Sequence, residues 1–253
     1  MLGATLSAGW LEAVGLAAVR MTAFLVIAPP FSYKAIPARI KAMLGVALAL
    51  AVSPRVTPGY TPLDTGPFFA ALALELLVGA MLGFLVSLVF AAVQTAGNLI
   101  DMFGGFQMAQ AFDPGSMVNG AQFTRLFQMT ALALMFASGA YQLVIGGIVR
   151  SYEALPLGGG LDLAGSAELM VTGVSQMMLA AVQIAGPLLV VLFLADAGLG
   201  LLTRVAPALN AFALSFPIKI LLTLLLAGMV VVVLPEVISA LATEAFRTIG
   251  AVK

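Results

Sequence analysis

The chain has 253 residues, 62% of them hydrophobic and 9% charged, with a mean hydropathy of +1.14. Soluble domains carry about 25% charged residues, so this composition is that of an integral membrane protein, and its net charge of zero leaves no electrostatic footprint for nucleic acid. Cysteine and histidine are absent, which excludes thiolate and imidazole chemistry, His-ligated haem and the usual zinc or copper sites, so neither metal nor cofactor is expected.

The opening MLGATLSAGWLEAVGLAAVR lacks a basic leader and a convincing cleavage site and reads as a retained first helix. Residues 13–30 form the first apolar segment, interrupted by Arg20 and stopped by Pro29-Pro30, since proline removes a donor and clashes with the preceding turn. Lys34, Arg39 and Lys41 in the next linker mark it as cytoplasmic and place the N-terminus outside. Residues 42–52, extended back to Pro37, make about 16 residues or roughly 24 Å of helix, which barely spans a hydrocarbon core of about 30 Å. A proline-rich loop is expected over 53–67. Residues 67–99 then read as about 33 residues of helix, roughly 50 Å. They contain Glu75 and the pair Gly79 and Gly83, whose GxxxG spacing admits a close helix neighbour or is a scatter of small residues.

Between residues 97 and 127 the membrane-helix pattern stops. The stretch carries Asp101, Gly104-Gly105, Asp113-Pro114-Gly115 and Asn119-Gly120, yet keeps Met102, Phe103, Phe106, Met108, Phe112, Met117 and Phe123. Helix breakers mixed with large apolar side chains indicate irregular backbone buried in protein, the setting in which such backbone is tolerated at membrane depth. A re-entrant element that closes or lines a path is the expectation. Residues 122–152 read as one long helix with Arg125 and Arg150 near its ends, and 153–168 as a polar loop. Residues 169–195 carry no charge and can span, with Pro187 expected to kink them. Asp196 and Arg204 follow, then an uncharged turn over 205–217. Lys219 opens a last apolar run to Leu234, interrupted by Pro235 and Glu236. Simple hydropathy thus gives six segments of uneven length, and the mismatch suggests that part of the helical mass sits in a protein assembly.

Ionisable groups inside apolar runs face a bundle interior, a partner or a water path. Those groups here are Arg20, Glu75, Asp101, Asp113, Asp196, Arg204 and Lys219. Asp113, before Pro114, initiates a turn or latches a closed gate. Lys219, placed by Pro217 in a first helical turn, is disfavoured there by the helix dipole. It therefore reaches a carboxylate or carbonyls outside its own helix, or snorkels to the interface. Asn210 and Phe212, bracketed by Pro207 and Pro217, form either an apolar pore constriction or a tight helical hairpin. The methionines serve as core filler or as a seal that conforms to varied passengers.

Taken together, these residues resemble the FliR family of flagellar export-gate proteins, whose relatives serve virulence-type type III secretion. The resemblance covers nearly the whole chain. It is carried by Arg20 with Pro29-Pro30 and Pro37, by Glu75-Leu-x-x-Gly79-x-x-x-Gly83-Phe, and by Gly97-x-x-x-Asp101-x-x-x-Gly105-Phe. Asp113-Pro114, Ser151-Tyr152 with Pro156-Leu157, Pro207-x-Leu-Asn210-x-Phe212 and Pro217-x-Lys219 complete it.

The resemblance implies an all-α membrane protein of kinked helical hairpins. A FliP-like region (1–195) would be fused to a FliQ-like hairpin (196–253), with much of the assembly lifted out of the membrane plane. It implies a channel plug over 104–120, using Gly104, Gly105, Phe106, Met108, Phe112, Asp113, Pro114 and Met117, and a constriction at Asn210 and Phe212. Arg20, Glu75, Asp101, Asp196, Arg204 and Lys219 would be inter-subunit or intramembrane charges. Implied partners are FliP-type and FliQ-type subunits, a FlhB-type subunit and unfolded export substrates, in the bacterial inner membrane at the flagellar basal body. Two departures stand out: the 205–217 turn lacks the methionines of a FliP-type gasket, and Tyr141-Gln142 stands where many flagellar members have a histidine-containing stretch.

Two functions of different classes follow. One is a non-enzymatic gate, a shaped passage with a movable plug, driven by partner proteins and the proton gradient. The other is a self-contained proton- or sodium-coupled transporter, with Asp101, Asp196 and Lys219 as relay or binding groups and the broken element near the midplane. An intramembrane enzyme is remote, because without His or Cys no nucleophile–base pair is apparent.

Overall fold

The computed structural model describes residues 7–33, 35–107, 121–206 and 211–251. Their regular structure is helical throughout: α1 (Ala8–Ile27), α2 (Ala38–Val56), α3 (Thr65–Phe103), α4 (Gln122–Ala137), α5 (Ala140–Ala154), α6 (Leu163–Val205) and α7 (Ala211–Ala251). Two compact units are formed. The first takes the chain up to residue 88, 139–173 and the residues from 242 onward; the second takes 89–138 and 174–241.

In the first unit α1 is a core helix. Ser7 caps it, its hydroxyl accepting from Trp10 N at 3.1 Å. It buries Leu16, Ala17, Met21, Phe24 and Leu25, and an apolar helix hidden to this degree needs neighbours on several sides. Glycines let them in. A Cβ on Gly79 of α3 would meet the Arg20 carbonyl oxygen and Ala23, and one on Gly83 would lie 3.0 Å from both Ile27 Cβ and the Phe24 carbonyl oxygen. The GxxxG spacing is therefore a close approach, and the helix approached is α1 of the same chain. Gly45 of α2 stands likewise against Thr22. The linker after α2 is tied to α1 through Glu12, whose carboxylate accepts from Tyr60 Oη at 2.6 Å and from Leu63 N at 3.0 Å. Burial and the adjoining Glu12 carboxylate push the Tyr60 phenol well above its usual range.

Among the described residues, α1, α3 and α6 are long and apolar enough to cross a membrane. The pair α4 and α5, bent by 76°, makes a fourth if it counts as one span. Three or four spans are thus found among the described residues, where hydropathy gave six segments over the whole chain. Residues 122–152, expected as a single helix, break at Gly139, whose φ of 74° is left-handed and suits glycine because no Cβ crowds the backbone. Helix α2 runs on to Val56 with Pro54 in its last turn, shortening the loop expected from residue 53; Arg39, Lys41 and Arg55 keep it from reading as a span. Helix α6 continues through Asp196 and Arg204, with Pro187 inside it. The 195/196 boundary therefore falls within a helix. Helix α7 begins at Ala211 and carries both Pro217 and Pro235, so Lys219 lies beyond its first turn.

Candidate functional site at the break after α3

The break between α3 and α4 is closed by one residue. Asp101, three positions before the Gly104-Gly105 pair, is wholly buried. Its main-chain oxygen accepts from Phe106 N at 3.0 Å, and Gly105 has a φ of 83°. That bond, with a left-handed glycine just past the helix, is the Schellman way of ending a helix and satisfies an otherwise orphaned carbonyl. The Asp101 side chain meanwhile serves the next helix. Ala121, at the N-cap of α4, has no side chain able to accept a hydrogen bond. Asp101 Oδ1 instead accepts from Phe123 N at 2.9 Å, while Oδ2 accepts from Thr124 N at 2.9 Å and Thr124 Oγ1 at 2.8 Å. These amides are the second and third of α4, the donors that an N-cap side chain would take, and a carboxylate there also opposes the positive end of the helix dipole.

The approach that permits this is set one turn earlier on the same face of α3. A Cβ on Gly97 would lie 2.6 Å from Thr124 Cα, so only glycine lets α4 begin so close. Phe106 then packs edge-on to Phe123, ring centroids 5.2 Å apart, and Phe123 packs on Phe127 at 6.2 Å. Gln107 Nε2 donates to Asn98 Oδ1 at 3.0 Å. Both ends of the segment between α3 and α4 are thereby drawn to one point. Elsewhere in the same unit, Lys219 Nζ lies 2.6 Å from Asp196 Oδ2, with Asp196 44% exposed and Lys219 14%. Lys219 reaches a carboxylate on another helix, although not from a first turn as the proline suggested.

A second group of charges lies in the first unit. Arg20 and Glu75 are 1% and 0% exposed and form a forked pair, Nε to Oε2 and Nη2 to Oε1, the latter at 2.9 Å. The remaining guanidinium donors reach Ser151 Oγ at 3.2 Å and the Leu155 carbonyl at 2.9 Å. Its central carbon lies 4.2 Å from the centre of the Tyr152 ring, and Tyr152 Oη donates to the Ala17 carbonyl at 2.9 Å. A buried pair is tolerable only when such additional bonds satisfy it. Here they tie α1, α3 and α5 together.

The site residues expected from sequence divide accordingly. Arg20 and Glu75 meet each other, Asp196 meets Lys219, and Asp101, Gly104, Gly105 and Phe106 gather at the break. Arg204 is exposed in the last turn of α6, where a cation suits the helix dipole. Met108, Phe112, Asp113, Pro114, Met117 and Asn210 lie outside the described residues, as does the side chain of Phe212. Sequence reading did not single out Thr124, and assigned no role to Ser151 or Tyr152. A threonine shortly after the break was the one available signal. No group of acidic side chains suited to a metal ion occurs among the described residues.

The family described as "Bacterial export proteins, family 1" matches residues 11–245. The flagellar biosynthetic protein FliR of Escherichia coli K12 is 31% identical over 217 residues, covering 83% of this chain and 81% of that protein. FliR of Bacillus subtilis 168 is 31% identical, covering 80% and 79%. The "Yop proteins translocation protein T" of Yersinia pestis is 31% identical over 176 residues, covering 68% and 67%.

Proposed function

This chain belongs to family 1 of the bacterial export proteins, and we propose on that premise that residues 104–120 are the plug of a protein-export channel. The chain is a subunit of the flagellar, or type III secretion, export apparatus and an integral protein of the inner membrane. Its relatives are parts of an export machine rather than enzymes. The reading as a solute transporter acting alone finds no support among them. In the proposed assembly FliP-type and FliQ-type subunits, with a FlhB-type subunit, surround the chain at the flagellar basal body. The FliP-like part would be 1–195 and the FliQ-like hairpin 196–253, with Asn210 and Phe212 contributing to a constriction.

One observation supports the plug most strongly: Asp101 ends α3 with its carbonyl and starts α4 with its carboxylate. A segment whose two ends are pinned together leaves and returns at the same place. That supports a stopper on a fixed base over a chain crossing a bilayer. Deleting residues 106–117 within the complete apparatus tests it. The expected result is normal co-purification of the subunits with a membrane that leaks small ions. Wild-type conductance in cells holding the assembled variant would overturn the plug.

A further inference from the structure

Helix α2 begins against its own dipole. Pro37 at its N-cap makes no side-chain hydrogen bond, and the first turn holds no acid. Arg39 and Lys41 stand there instead, at the end of a helix that disfavours cations. Neither forms an ion pair among the described residues. Arg39 is exposed, whereas Lys41 is only 8% exposed. A helical side chain leans back over the turn that precedes it, so the Lys41 ammonium is carried toward the start of α2. Two cations on the positive end of a helix form a place for an anion.

A groove of about 470 Å³ opens beside this turn, within the range of small-molecule sites, roughly 300–1,000 Å³. Its walls include Thr22, Val26 and Ile27 of α1, Ala42 and Val46 of α2 and Leu76 of α3, and they are almost wholly apolar. Ala42 follows Lys41 directly, so the groove starts where the cations sit. Gly45 stands against Thr22, and from there the groove follows the C-terminal half of α1. Val26, Val46 and Leu76 remain about half exposed, which leaves apolar surface uncovered along its length.

From this juxtaposition we infer that the groove holds an acyl chain of an anionic phospholipid, with its phosphate on Arg39, Lys41 and the start of α2. A free anion would leave the apolar walls bare, and a zwitterionic headgroup would bring a positive charge to a place that already has two. A molecule apolar along its length and anionic at one end matches both halves of the site, and basic pockets between membrane helices take such headgroups. The inference does not depend on residues 104–120 being a plug.

The full chain, purified with its partner subunits in detergent and stripped of lipid, is offered phosphatidylglycerol, and the retained lipid is counted by native mass spectrometry. The variant carrying Arg39→Gln with Lys41→Gln is expected to retain one molecule fewer than wild type. Val46→Trp, which fills the groove and keeps both charges, is expected to lose the same molecule. Phosphatidylcholine is expected to show no such difference. Equal retention of phosphatidylglycerol by wild type and variants would overturn the inference, as happens if a partner subunit covers the groove. A loss confined to the charge variant, or displacement of the lipid by glycerol phosphate at equal concentration, would overturn the seat for the acyl chain. Should the double variant not assemble, Arg39→Gln alone, at an exposed position, is expected to weaken retention severalfold, and wild-type retention there would overturn the inference.

Discussion

Arg20 illustrates what a single residue reveals and conceals. An arginine in the middle of an apolar run announces itself in the sequence, and so does Glu75, but nothing in either stretch says that they find each other. The pair spans 55 positions, and the third and fourth acceptors, Ser151 and Leu155, lie more than 130 positions from Arg20. Removing either charge leaves the other buried and unpaired. Arg20→Ala or Glu75→Ala is accordingly expected to cost about 3–5 kcal/mol, read as a lower melting temperature of the detergent-solubilised complex or loss of the protein from membranes. Arg20→Lys is expected to fail nearly as badly, because an ammonium cannot fork onto a carboxylate and also reach Ser151 and the Leu155 carbonyl. Replacing both charges with leucine is expected to be milder than either alanine substitution alone. A double variant as unstable as the sum of the two singles would show that the residues act independently and that the pair is incidental.

At the scale of the element, the two interruptions flanking α4 are made differently and fail differently. Before α4, Asp101 holds the break with three accepted bonds and a capped carbonyl. Asp101→Ala removes an N-cap, worth about 1–2 kcal/mol, and loosens the junction of α3 with α4; the expected outcome is an assembled complex cut faster between α3 and α4 by added protease. Asp101→Asn keeps an acceptor and is expected to lie between alanine and wild type, and equal protease resistance in all three would remove Asp101 from the closure. After α4, Gly139 turns the chain in open space, with no atom near a would-be Cβ. Gly139→Ala therefore meets only the left-handed penalty of about 1–2 kcal/mol and no clash, so it lowers stability slightly without misfolding. The first break was legible because Asp101, two glycines and a run of Phe and Met cannot be read as lipid-facing helix. The second was not, since Ser138-Gly139 interrupts only briefly an apolar run whose periodicity continues across it. Nor does the sequence mark the neighbours of Gly104 and Gly105: a Cβ on them would meet Thr223 Oγ1 and Phe216 Cδ1, residues that look like any others of an apolar helix.

For the molecule as a whole, composition made the membrane assignment plain, and helix length makes an argument that hydropathy alone does not. Helix α6 has 43 residues, and only about a third of its most apolar stretch is buried. At 1.5 Å per residue it is about 64 Å long, twice the hydrocarbon thickness of about 30 Å. Lipid cannot cover all of it, yet it exposes Val174, Val190, Phe193, Leu194, Leu201 and Val205. Apolar surface of that extent on a soluble stretch marks a protein interface. Val174 and Val205 are separated by about 46 Å of helix, so at most one of them sits in the hydrocarbon core. Because the chain has no cysteine, Val174→Cys and Val205→Cys made singly report their surroundings without background. With the chain expressed alone, a water-soluble maleimide is expected to label at least one of the two. When the partner subunits are co-expressed, that position is expected to become protected, since the covering surface is then protein. Equal labelling with and without partners would mean that α6 stands bare in water, and an export-gate assembly built around this chain would lose its physical basis.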